Sequence, residues 1–333
     1  MNNFWNKKKV LVTGAAGFIG SHAVDCLVKN GADVTAQVSE KPQPAKIKRN
    51  LSSSLNKIKI VKADLTDINS CFKIAKDQNI ILNFAALDGG SVFKKEHAAE
   101  IFNINSQITL NMLEAARTSK AKKFLLVSSI EVYPKNVSGL LSENYEVTGG
   151  LNKNIDGYVR SKIFSEITAQ QYSQQYGLGI NIVRPGNVYG PRDYLDKGRV
   201  IPTFIEQALN NKQITIWNGG KQKKSFIYVF DLVDAIIRLV EKYEGNDPVN
   251  IAGENYISIR DLAQLIIDLT KSKNKIVNLG SKNLKTKDMF IDTKKAKKII
   301  RFKERTTLKE GLKETINYFR MGSRFKDKIM INR

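Results

Sequence analysis

The sequence contains only two cysteines, Cys26 and Cys71, and they do not form a C-x-x-C pair. This pattern argues against a disulfide framework and against a cysteine zinc site, so we expect no bound metal. Few thiols also indicate a reducing compartment, for which we predict the cytoplasm. Histidine is equally scarce, and neither His22 nor His97 matches a catalytic position that we can argue.

A long hydrophobic run is absent as well. No stretch of about 18 apolar residues occurs, so we expect neither a membrane span nor a membrane partner. Residues 1–9 lack the apolar region of a signal peptide. The 333 residues, 42% of them apolar and 26% charged, have the composition of a globular protein of one large domain or two joined ones.

Acidic residues are few. The chain has 32 Asp and Glu against 54 Lys and Arg, which leaves a net charge of +22, much of it in the last fifth of the sequence. Such an excess is typical either of a nucleic-acid-binding surface or of a Lys-rich surface that attracts an anionic, phosphate-bearing substrate. Because no helix-turn-helix pattern and no aromatic-interleaved basic motif occurs, we favour the second interpretation and expect no nucleic-acid partner.

The most informative segment present is VLVTGAAGFIG at positions 10–20. An apolar strand enters a turn with glycines spaced three apart, and an apolar-periodic helix follows. Gly14 permits the tight turn, Gly17 lets a phosphate approach the backbone, and Gly20 allows helix and strand to pack closely. The start of the helix then offers N–H groups and a positive dipole end to a pyrophosphate. The residues predicted to hold a dinucleotide here are Gly14, Ala16, Gly17, Phe18, Ile19 and Gly20.

Strand and helix patterns alternate through the first two thirds of the chain. This alternation predicts an α/β fold, namely a Rossmann-type doubly wound parallel sheet with a smaller C-terminal substrate-binding lobe. We place a dinucleotide-binding domain at residues 1–184 and the lobe mainly at 185–333, with some chain crossing back. Predicted strands are 9–13, 33–38, 58–62, 80–84, 123–128 and 180–184, and predicted helices are 18–30, 67–77, 98–119 and 156–176. Residues 41–56 are predicted to form a surface excursion, and the lobe is predicted to contain helices 200–211, 231–242, 258–270 and 307–320 with strands 213–217 and 248–251.

Two further features indicate chemistry. Tyr158 and Lys162 are four residues apart and therefore share one helix face. A lysine ammonium beside a tyrosine stabilises the phenolate and lowers the pKa of the phenol. Ser128 and Ser129 end an apolar strand, where a hydroxyl can hydrogen-bond a substrate oxygen as its charge changes.

Taken together, these motifs resemble those of the extended short-chain dehydrogenases/reductases, and in particular the NAD(P)-dependent nucleotide-sugar epimerase/dehydratase family. The resemblance covers nearly the whole chain. It implies that Ser129, Tyr158 and Lys162 form the catalytic triad, that the phenolate takes a proton from a sugar hydroxyl as hydride passes to the nicotinamide, and that Lys162 also binds the nicotinamide ribose. The segments that carry it, besides the glycine turn, are ADLTD at 63–67, NFAA at 83–86, RPGNVYGPR at 184–192 and KSFIYVFD at 224–231.

The same resemblance implies binding residues for a tightly held NAD(P) and for a nucleotide-diphosphate sugar. Further cofactor contacts are predicted at Ser39, Asp64, Leu65, Ala85, Ala86 and Pro185. Substrate contacts are predicted at Asn187, Arg192, Lys197, Arg199 and Lys224. For Lys197 and Arg199 the sequence leaves three roles open: acid/base group, phosphate contact or plain surface charge.

Two departures from the family pattern concern ligands. Lys224 stands where the family usually has an arginine for the substrate pyrophosphate, so the charge is kept and the bidentate fork is lost. The acid that usually accepts from the adenine ribose is missing from the second strand, whereas Ser39 and Lys41 suit a 2′-phosphate. We therefore favour NADP over NAD, with Glu40 as the residue that would restore a preference for NAD.

A third departure concerns the reaction. Glu131 stands two residues before Tyr133, where related dehydratases and decarboxylases carry a glutamate, GDP-sugar epimerase-reductases a cysteine, and many 4-epimerases a small neutral residue. Glu131 is predicted to be a base for the C5 proton of a 4-keto sugar, or else a residue that only orders its loop. Epimerase/dehydratase is the leading function, C4 dehydrogenase or 4-keto-reductase the second, and a cofactor-binding regulatory protein of the same fold the non-enzyme alternative. The apolar faces of helices 98–119 and 156–176 predict a homodimer through a four-helix bundle.

Overall fold

The computed structural model describes residues 4–41, 43–134, 139–145, 156–195, 197–280 and 288–330, with side chains as far as residue 321. The strands are β1 Lys9–Thr13, β2 Asp33–Val38, β3 Ile58–Lys62, β4 Ile80–Asn83, β5 Lys123–Val127, β6 Gly139–Leu141, β7 Gly179–Pro185, β8 Asn187–Tyr189, β9 Ile214–Ile216, β10 Lys223–Tyr228, β11 Pro248–Ile251, β12 Tyr256–Ser258, β13 Ile276–Asn278 and β14 Met289–Ile291. The helices are α1 Phe18–Lys29, α2 Pro44–Leu51, α3 Ile68–Ala75, α4 Ser91–Glu96, α5 Ala98–Thr118, α6 Gly157–Tyr176, α7 Val200–Leu209, α8 Val229–Lys242, α9 Ile259–Thr270, α10 Lys294–Ile300 and α11 Leu308–Met330.

The main sheet explains why the site lies where it does. Within the described residues it has seven strands in the order β11-β7-β5-β4-β1-β2-β3, and every pair in it is parallel. The chain winds outward from β1 to β3, then returns to β4 on the other side of β1. The order therefore reverses between β1 and β4, and this is the crevice in which doubly wound sheets bind their ligands.

Helices cover both faces of this sheet, as the predicted alternation requires. On one face α1 and α8 bury Val24, Leu27, Leu232 and Ile236 against the strands. On the other face α3, α5 and α6 bury Cys71, Met112 and Ala169. Because parallel strands are buried on both sides, β1, β4 and β5 read as nearly continuous apolar runs.

The smaller lobe has its own core. Strands β8, β10 and β12 form a three-stranded sheet in the described chain, against which α7, α9 and α11 pack Phe204, Leu262 and Leu312. The chain does cross back, since α8 packs on α1 and β11 pairs with β7 in the main sheet. None of the helices in the described part of the chain is long and apolar enough to cross a bilayer.

The surface stretch predicted at 41–56 contains a helix that the sequence analysis did not predict. Half of the stretch is α2, whose first six residues are exposed or half-buried and whose last two, Asn50 and Leu51, are fully buried. The Asn50 amide donates to the backbone oxygen of Ala16 at 2.9 Å, so α2 is tied to the glycine turn. The α2 sequence PAKIKRNL is rich in Lys and Arg and has few apolar residues, so its pattern did not predict a helix.

Candidate active site

The glycine turn and the end of β4 lie side by side at the carboxyl edge of the sheet. The Thr13 hydroxyl donates to the Asn83 side chain at 2.6 Å and accepts from the Ala85 backbone N–H at 3.1 Å. Gly14 has φ of +61°, and a Cβ there would lie 3.0 Å from the backbone of Ala85. Only glycine therefore allows the two loops to approach this closely.

The turn fits a dinucleotide pyrophosphate. A Cβ on Gly17 or Gly20 would lie 2.9 Å or 2.5 Å from the Gly14 carbonyl oxygen, so both positions need the bare backbone. Gly17 begins α1 without a side-chain cap, and the first turn of α1 carries no acidic residue. The positive end of α1 is thus left for an anion, in the arrangement that the sequence predicted for Gly14, Ala16, Gly17, Phe18, Ile19 and Gly20.

The predicted adenosine contacts lie around the ends of β2, β3 and β4. Ser39 and Ala86 are exposed, directly after β2 and shortly after β4. Asp64 is exposed and accepts from both the backbone N–H and the hydroxyl of Thr66, at 2.8 and 2.7 Å. Leu65 is 4% exposed and packs in the core under α5, so only its backbone faces this edge.

A residue that the sequence analysis did not single out, Gln37, organises this region. Its side-chain oxygen accepts from the Gly14 N–H at 2.9 Å, and its amide nitrogen donates to the Ala63 carbonyl at 2.8 Å. Gln37 therefore joins the glycine turn to the end of β3. A polar residue in the buried strand DVTAQV was the signal that could have revealed it.

The three predicted catalytic residues meet at the end of β5. The Ser129 hydroxyl shares a hydrogen bond with the Tyr158 phenol and accepts from the Glu131 backbone N–H at 3.1 Å. The Lys162 ammonium donates to the Val127 carbonyl at 2.8 Å and lies 5.6 Å from the centre of the Tyr158 ring. Helix α6 presents both side chains because its N-cap Asp156 accepts from the Val159 N–H at 2.9 Å and starts the helix just before them.

Burial governs the acidity of this group. It raises the pKa of Tyr158 well above its usual range, and the nearby carboxylates Asp88 and Glu131 raise it further, while Ser129 lowers it. Burial also lowers the pKa of Lys162 to about 8. In the protein's own groups the pKa of Tyr158 is therefore raised, not lowered as expected from Lys162, because burial has the largest effect on it.

Glu131 lies in the same pocket and is held there by a residue that the sequence analysis missed. The Lys94 ammonium donates to both Glu131 carboxylate oxygens at 3.1 Å and lies 3.3 Å from Asp88. The Lys94 side chain is 11% exposed, although Lys95 beside it is exposed. Nothing in the run FKKE distinguishes the two lysines, so their different roles follow only from how the short α4 packs.

Arg192 leaves β8 and returns to the main domain. Its φ is +67°, and its guanidinium donates to Asp25 on α1 at 2.7 Å. Asp25 also accepts from the hydroxyls of Ser53 and Ser54 at 2.6 and 2.5 Å. The structure thus places Arg192 in a link between the lobe and α1 and does not bring it to Tyr158.

Arg199 and Lys197 lie nearer the catalytic group. Arg199 pairs with the buried Asp193 at 2.9 Å, and its charge is among those that act on Tyr158. Burial raises the pKa of Asp193 to about 6, although Arg199 opposes the shift. The Lys197 ammonium lies 5.6 Å from the ring centre of Phe93 on α4, so this loop of the lobe closes over the 88–94 segment.

The remaining lobe residues are held by strands. Pro185 is the buried last residue of β7, and Asn187 begins β8, where its amide donates to the Ser225 carbonyl at 2.9 Å. Lys224 lies in β10, with its backbone paired to Ile257 of β12. Asn187 and Lys224 therefore lie on adjoining strands of the lobe sheet.

A buried polar network lies next to the predicted catalytic residues. Arg184 on β7 donates to both carboxylate oxygens of Glu166 on α6, at 2.9 and 2.6 Å, and to the Tyr133 phenol at 2.9 Å. The Ser128 hydroxyl donates to the same carboxylate, and Tyr133 donates to Asn250 at 2.9 Å. The network joins β5, β7, α6 and β11 directly beneath Ser129 and Lys162.

A doubly wound sheet with an uncapped glycine turn and a Ser–Tyr–Lys group at the strand ends defines an NAD(P)-dependent oxidoreductase fold. Residues 10–252 match the family described as the NAD dependent epimerase/dehydratase family. The chain belongs to this family and is an enzyme.

Full-length relatives support this assignment. A dTDP-4-dehydro-6-deoxy-D-allose reductase of Streptomyces sp is 34% identical over 328 residues, covering 96% of this chain and 98% of the relative. A UDP-N-acetyl-alpha-D-glucosaminuronate decarboxylase of Bacillus cytotoxicus is 33% identical over 322 residues, covering 94% and 98%.

Solved structures show the same fold. The UDP-glucose 4-epimerase of Thermotoga maritima with UDP-glucose superimposes with a TM-score of 0.83 at 26% identity, covering 94% of this chain and 99% of that one. The UDP-glucuronic acid 4-epimerase of Bacillus cereus in complex with NAD gives a TM-score of 0.80 at 26% identity, with the same coverage.

Proposed function

We propose that this enzyme acts on a nucleotide-diphosphate sugar through a 4-keto intermediate, as an NAD(P)-dependent epimerase or dehydratase. The observation that carries the proposal is the convergence of Ser129, Tyr158 and Lys162 beside an uncapped glycine turn. Relatives of the same length that act on nucleotide sugars support the substrate class.

The chain's own groups have separate tasks in this chemistry. A bound NAD(P) would supply hydride acceptance and return at C4, and the positive charge of its oxidised nicotinamide would favour ionisation nearby. Tyr158, in its phenolate form, takes the proton of the C4 hydroxyl. Ser129 donates a hydrogen bond to the phenolate oxygen and so stabilises its negative charge before the proton arrives. Lys162 holds a positive charge at the foot of the phenol, anchored by the Val127 carbonyl.

Glu131 decides between net reactions. A carboxylate that reaches C5 can remove its proton once C4 is a ketone, because the resulting charge is shared with the keto oxygen. Epimerisation at C5 and 4,6-dehydration both need this step, whereas oxidation or reduction at C4 does not. We propose Glu131 as that base.

The test is incubation with a panel of UDP-, GDP- and dTDP-sugars in D₂O, with products followed by mass spectrometry and NMR. Epimerisation at C5 or 4,6-dehydration predicts carbon-bound deuterium in the sugar, whereas epimerisation, oxidation or reduction at C4 predicts none. Glu131→Gln should abolish this incorporation while hydride transfer persists, and the exposed Glu96→Gln on α4 is the matched control. Turnover by the unaltered enzyme without carbon-bound deuterium would remove the C5-base role.

The second candidate is a 4-keto-reductase. Lys94 donates to both Glu131 oxygens, so the carboxylate already serves as a hydrogen-bond acceptor. This favours a function that does not need Glu131 as a base, such as reduction at C4. The 34% identity with the dTDP-4-dehydro-6-deoxy-D-allose reductase favours the same reading. Consumption of one equivalent of reduced cofactor per sugar, followed by its absorbance, would assign this function.

For the cofactor we infer a preference for NADP over NAD. Ser39 is exposed after β2, and Lys46, Lys48 and Arg49 on the neighbouring α2 supply positive charge for a 2′-phosphate. Ser39→Asp should weaken NADP binding by charge repulsion and spare NAD, whereas Ser39→Ala should change the ratio little. Equal dissociation constants of NAD and NADP for the unaltered protein would overturn the inference.

Substrate contacts are proposed for five lobe residues. Lys224 and Arg199 supply charge for the diphosphate, and Lys197 lies on the loop that covers the sugar end. Asn187 and Arg192 complete the set, although Arg192 must leave Asp25 to take part. Each single alanine variant should raise KM more than it lowers kcat if its role is binding.

We also propose a homodimer built from α5 and α6. Phe102 and Leu110 on α5 are 39% and 40% exposed, and Ile167 and Tyr176 on α6 are 55% and 47% exposed. Paired with a second copy, these helices would bury this surface in a four-helix bundle. Ile167→Asp should give monomers in sedimentation, while Met321→Asp, a similarly exposed position on α11, should not. A cytoplasmic location remains part of the proposal, in keeping with the free thiols of Cys26 and Cys71.

A further inference from the structure

Lys94 occupies an unusual position beside the catalytic tyrosine. Its ammonium lies 3.6 Å from the centre of the Tyr158 ring, closer than the 5.6 Å of Lys162. The side chain is 11% exposed, and the ammonium is fixed between Glu131 and Asp88, at 3.1 and 3.3 Å. A cation held over a ring face at this distance is attracted by the ring, and far more strongly by a phenolate.

The charges around Tyr158 come from several elements, and Lys94 is central among them. Residues 88–94 contribute the Asp88 carboxylate and the Lys94 ammonium. The loop after β5 contributes the Glu131 carboxylate, α6 the Lys162 ammonium, and the start of α7 the Arg199 guanidinium. A further carboxylate at the N-cap of α6 acts on Lys94 itself. These groups are Asp88, Lys94, Glu131, Lys162, Arg199 and Asp156.

Two of these groups work against an ionised tyrosine. Asp88 and Glu131 add to the effect of burial in raising the pKa of Tyr158. Lys94 hydrogen-bonds Glu131 and forms an ion pair with Asp88, and so neutralises negative charge that would otherwise face the phenol. Although burial lowers it, the pKa of Lys94 itself stands above its usual range because of Glu131 and Asp88, so the group stays charged where Tyr158 works.

We propose that Lys94 is a positioning residue for proton transfer: from the ring face it stabilises the Tyr158 phenolate and screens the two carboxylates beside it. Two lysines thus stabilise the phenolate: Lys94 at 3.6 Å and Lys162 at 5.6 Å from the ring centre. The inference rests on the proposed function only in giving Tyr158 a proton to exchange.

Removing the Lys94 charge has two effects of the same sign. The phenolate loses an attractive charge on its ring face, and Asp88 and Glu131 are left without their shared counter-ion. An opposite charge within this range changes a pKa by about 1–3. Lys94→Met should therefore raise the pKa of Tyr158 by about that amount, whereas Lys94→Arg should largely preserve it.

The experiment reads the phenol directly and needs no substrate. Tyr158 is replaced by 3,5-difluorotyrosine, whose electron-poor ring ionises at lower pH, and the ¹⁹F shift of this single label is followed against pH. Lys94→Met should move the titration to higher pH, and Glu131→Gln should move it to lower pH. The exposed Lys95→Met on the same helix is the matched control and should leave it unchanged.

The opposite signs separate electrostatics from disruption. A general loosening of the pocket would move the Lys94→Met and Glu131→Gln titrations in the same direction, and that result would overturn the proposal. So would a Lys94→Met titration identical to the control. Thermal unfolding of each variant checks that it folds; should Lys94→Met alone be unstable, Lys94→Met with Glu131→Gln restores charge balance and should show a smaller increase in pKa.

A second readout links the effect to turnover. The pH profile of kcat/KM is measured with any nucleotide sugar that the enzyme converts. Its acidic limb should move to higher pH in Lys94→Met and lie near its original pH in Lys94→Arg. A titration that shifts in an enzyme inactive on every sugar would reject the proposed function and keep the Lys94 inference. Activity on a nucleotide sugar, together with identical titrations of Lys94→Met and the Lys95→Met control, would keep the proposed function and reject the Lys94 inference.

Discussion

Replacing Glu166 tests how far the catalytic group depends on the buried network beneath it. Glu166 and Arg184 are 5% and 3% exposed, and the guanidinium makes two hydrogen bonds to the carboxylate. In Glu166→Ala the Arg184 charge stays buried, with Tyr133 as its one remaining hydrogen-bond partner among the described residues, and Ser128 loses its acceptor. Breaking a buried ion pair from one side costs about 3–5 kcal/mol.

The control is an ion pair of similar length at the surface. Lys123 and Glu244 lie 2.7 Å apart, but Glu244 is 79% exposed. Glu244→Ala should therefore cost less than about 1 kcal/mol. Glu166→Gln, which keeps the volume and one acceptor, should fall between the two.

The assay is denaturant unfolding of the three variants, together with their melting temperatures. At about 2 °C per kcal/mol, Glu166→Ala should melt about 6–10 °C below the unaltered protein and Glu244→Ala within about 2 °C of it. Turnover should fall in Glu166→Ala even below its melting range, because Ser128 adjoins Ser129. Equal losses of stability in Glu166→Ala and Glu244→Ala would refute the reasoning.

Three further predictions address the turn, the phenol and pH. Tyr158→Phe should lower kcat by about 10²–10⁴ with cofactor binding retained, and near-normal turnover would remove the phenol from the mechanism. Gly14→Ala, at φ +61° and 3.0 Å from the β4 loop, should abolish cofactor binding measured by calorimetry, whereas Gly177→Ala, at φ +65° in open space, should lose only about 1–2 kcal/mol of stability. Burial lowers the pKa of His22 to about 4, so below pH 6.5 the unfolded chain binds a proton that the folded one excludes, and stability should fall by about 2 kcal/mol from pH 7 to 5. Urea midpoints at pH 7 and pH 5 should show this loss in the unaltered protein and not in His22→Gln. The opposite contribution of Asp193 is the same in both proteins and cancels in the comparison. Equal changes of the urea midpoint with pH in the two proteins would contradict the prediction.

Much of the fold follows from local patterns. The strands at 9–13, 33–38 and 58–62 lie where they are predicted. The first two are buried on both faces, which leaves a nearly continuous apolar run, whereas the edge strand at 58–62 is half-exposed. Tyr158 and Lys162 share a helix face because the helical repeat alone brings residues four apart together. Part of the glycine turn is equally local, since Gly17 and Gly20 both need the bare backbone because of the Gly14 carbonyl oxygen, whereas Gly14 itself also faces the distant Ala85.

Other features depend on residues far apart in the chain. Lys94 meets Glu131 across 37 positions, and Arg192 meets Asp25 across 167. Helix α8 and strand β11 return to the first sheet, although their local patterns fit the lobe equally well. No local pattern marks such pairs, because a lysine bound to two acids and a lysine in water have the same neighbours in sequence.

The sequence by itself therefore determined the sheet and the form of the glycine turn, and its short motifs predicted Ser129, Tyr158 and Lys162 as the catalytic residues. Only the tertiary structure decided the charges around Tyr158 and the acidity they produce. Burial and Coulomb interactions depend on distances through space, and these are set when α4, the end of β5 and the start of α7 pack around one phenol.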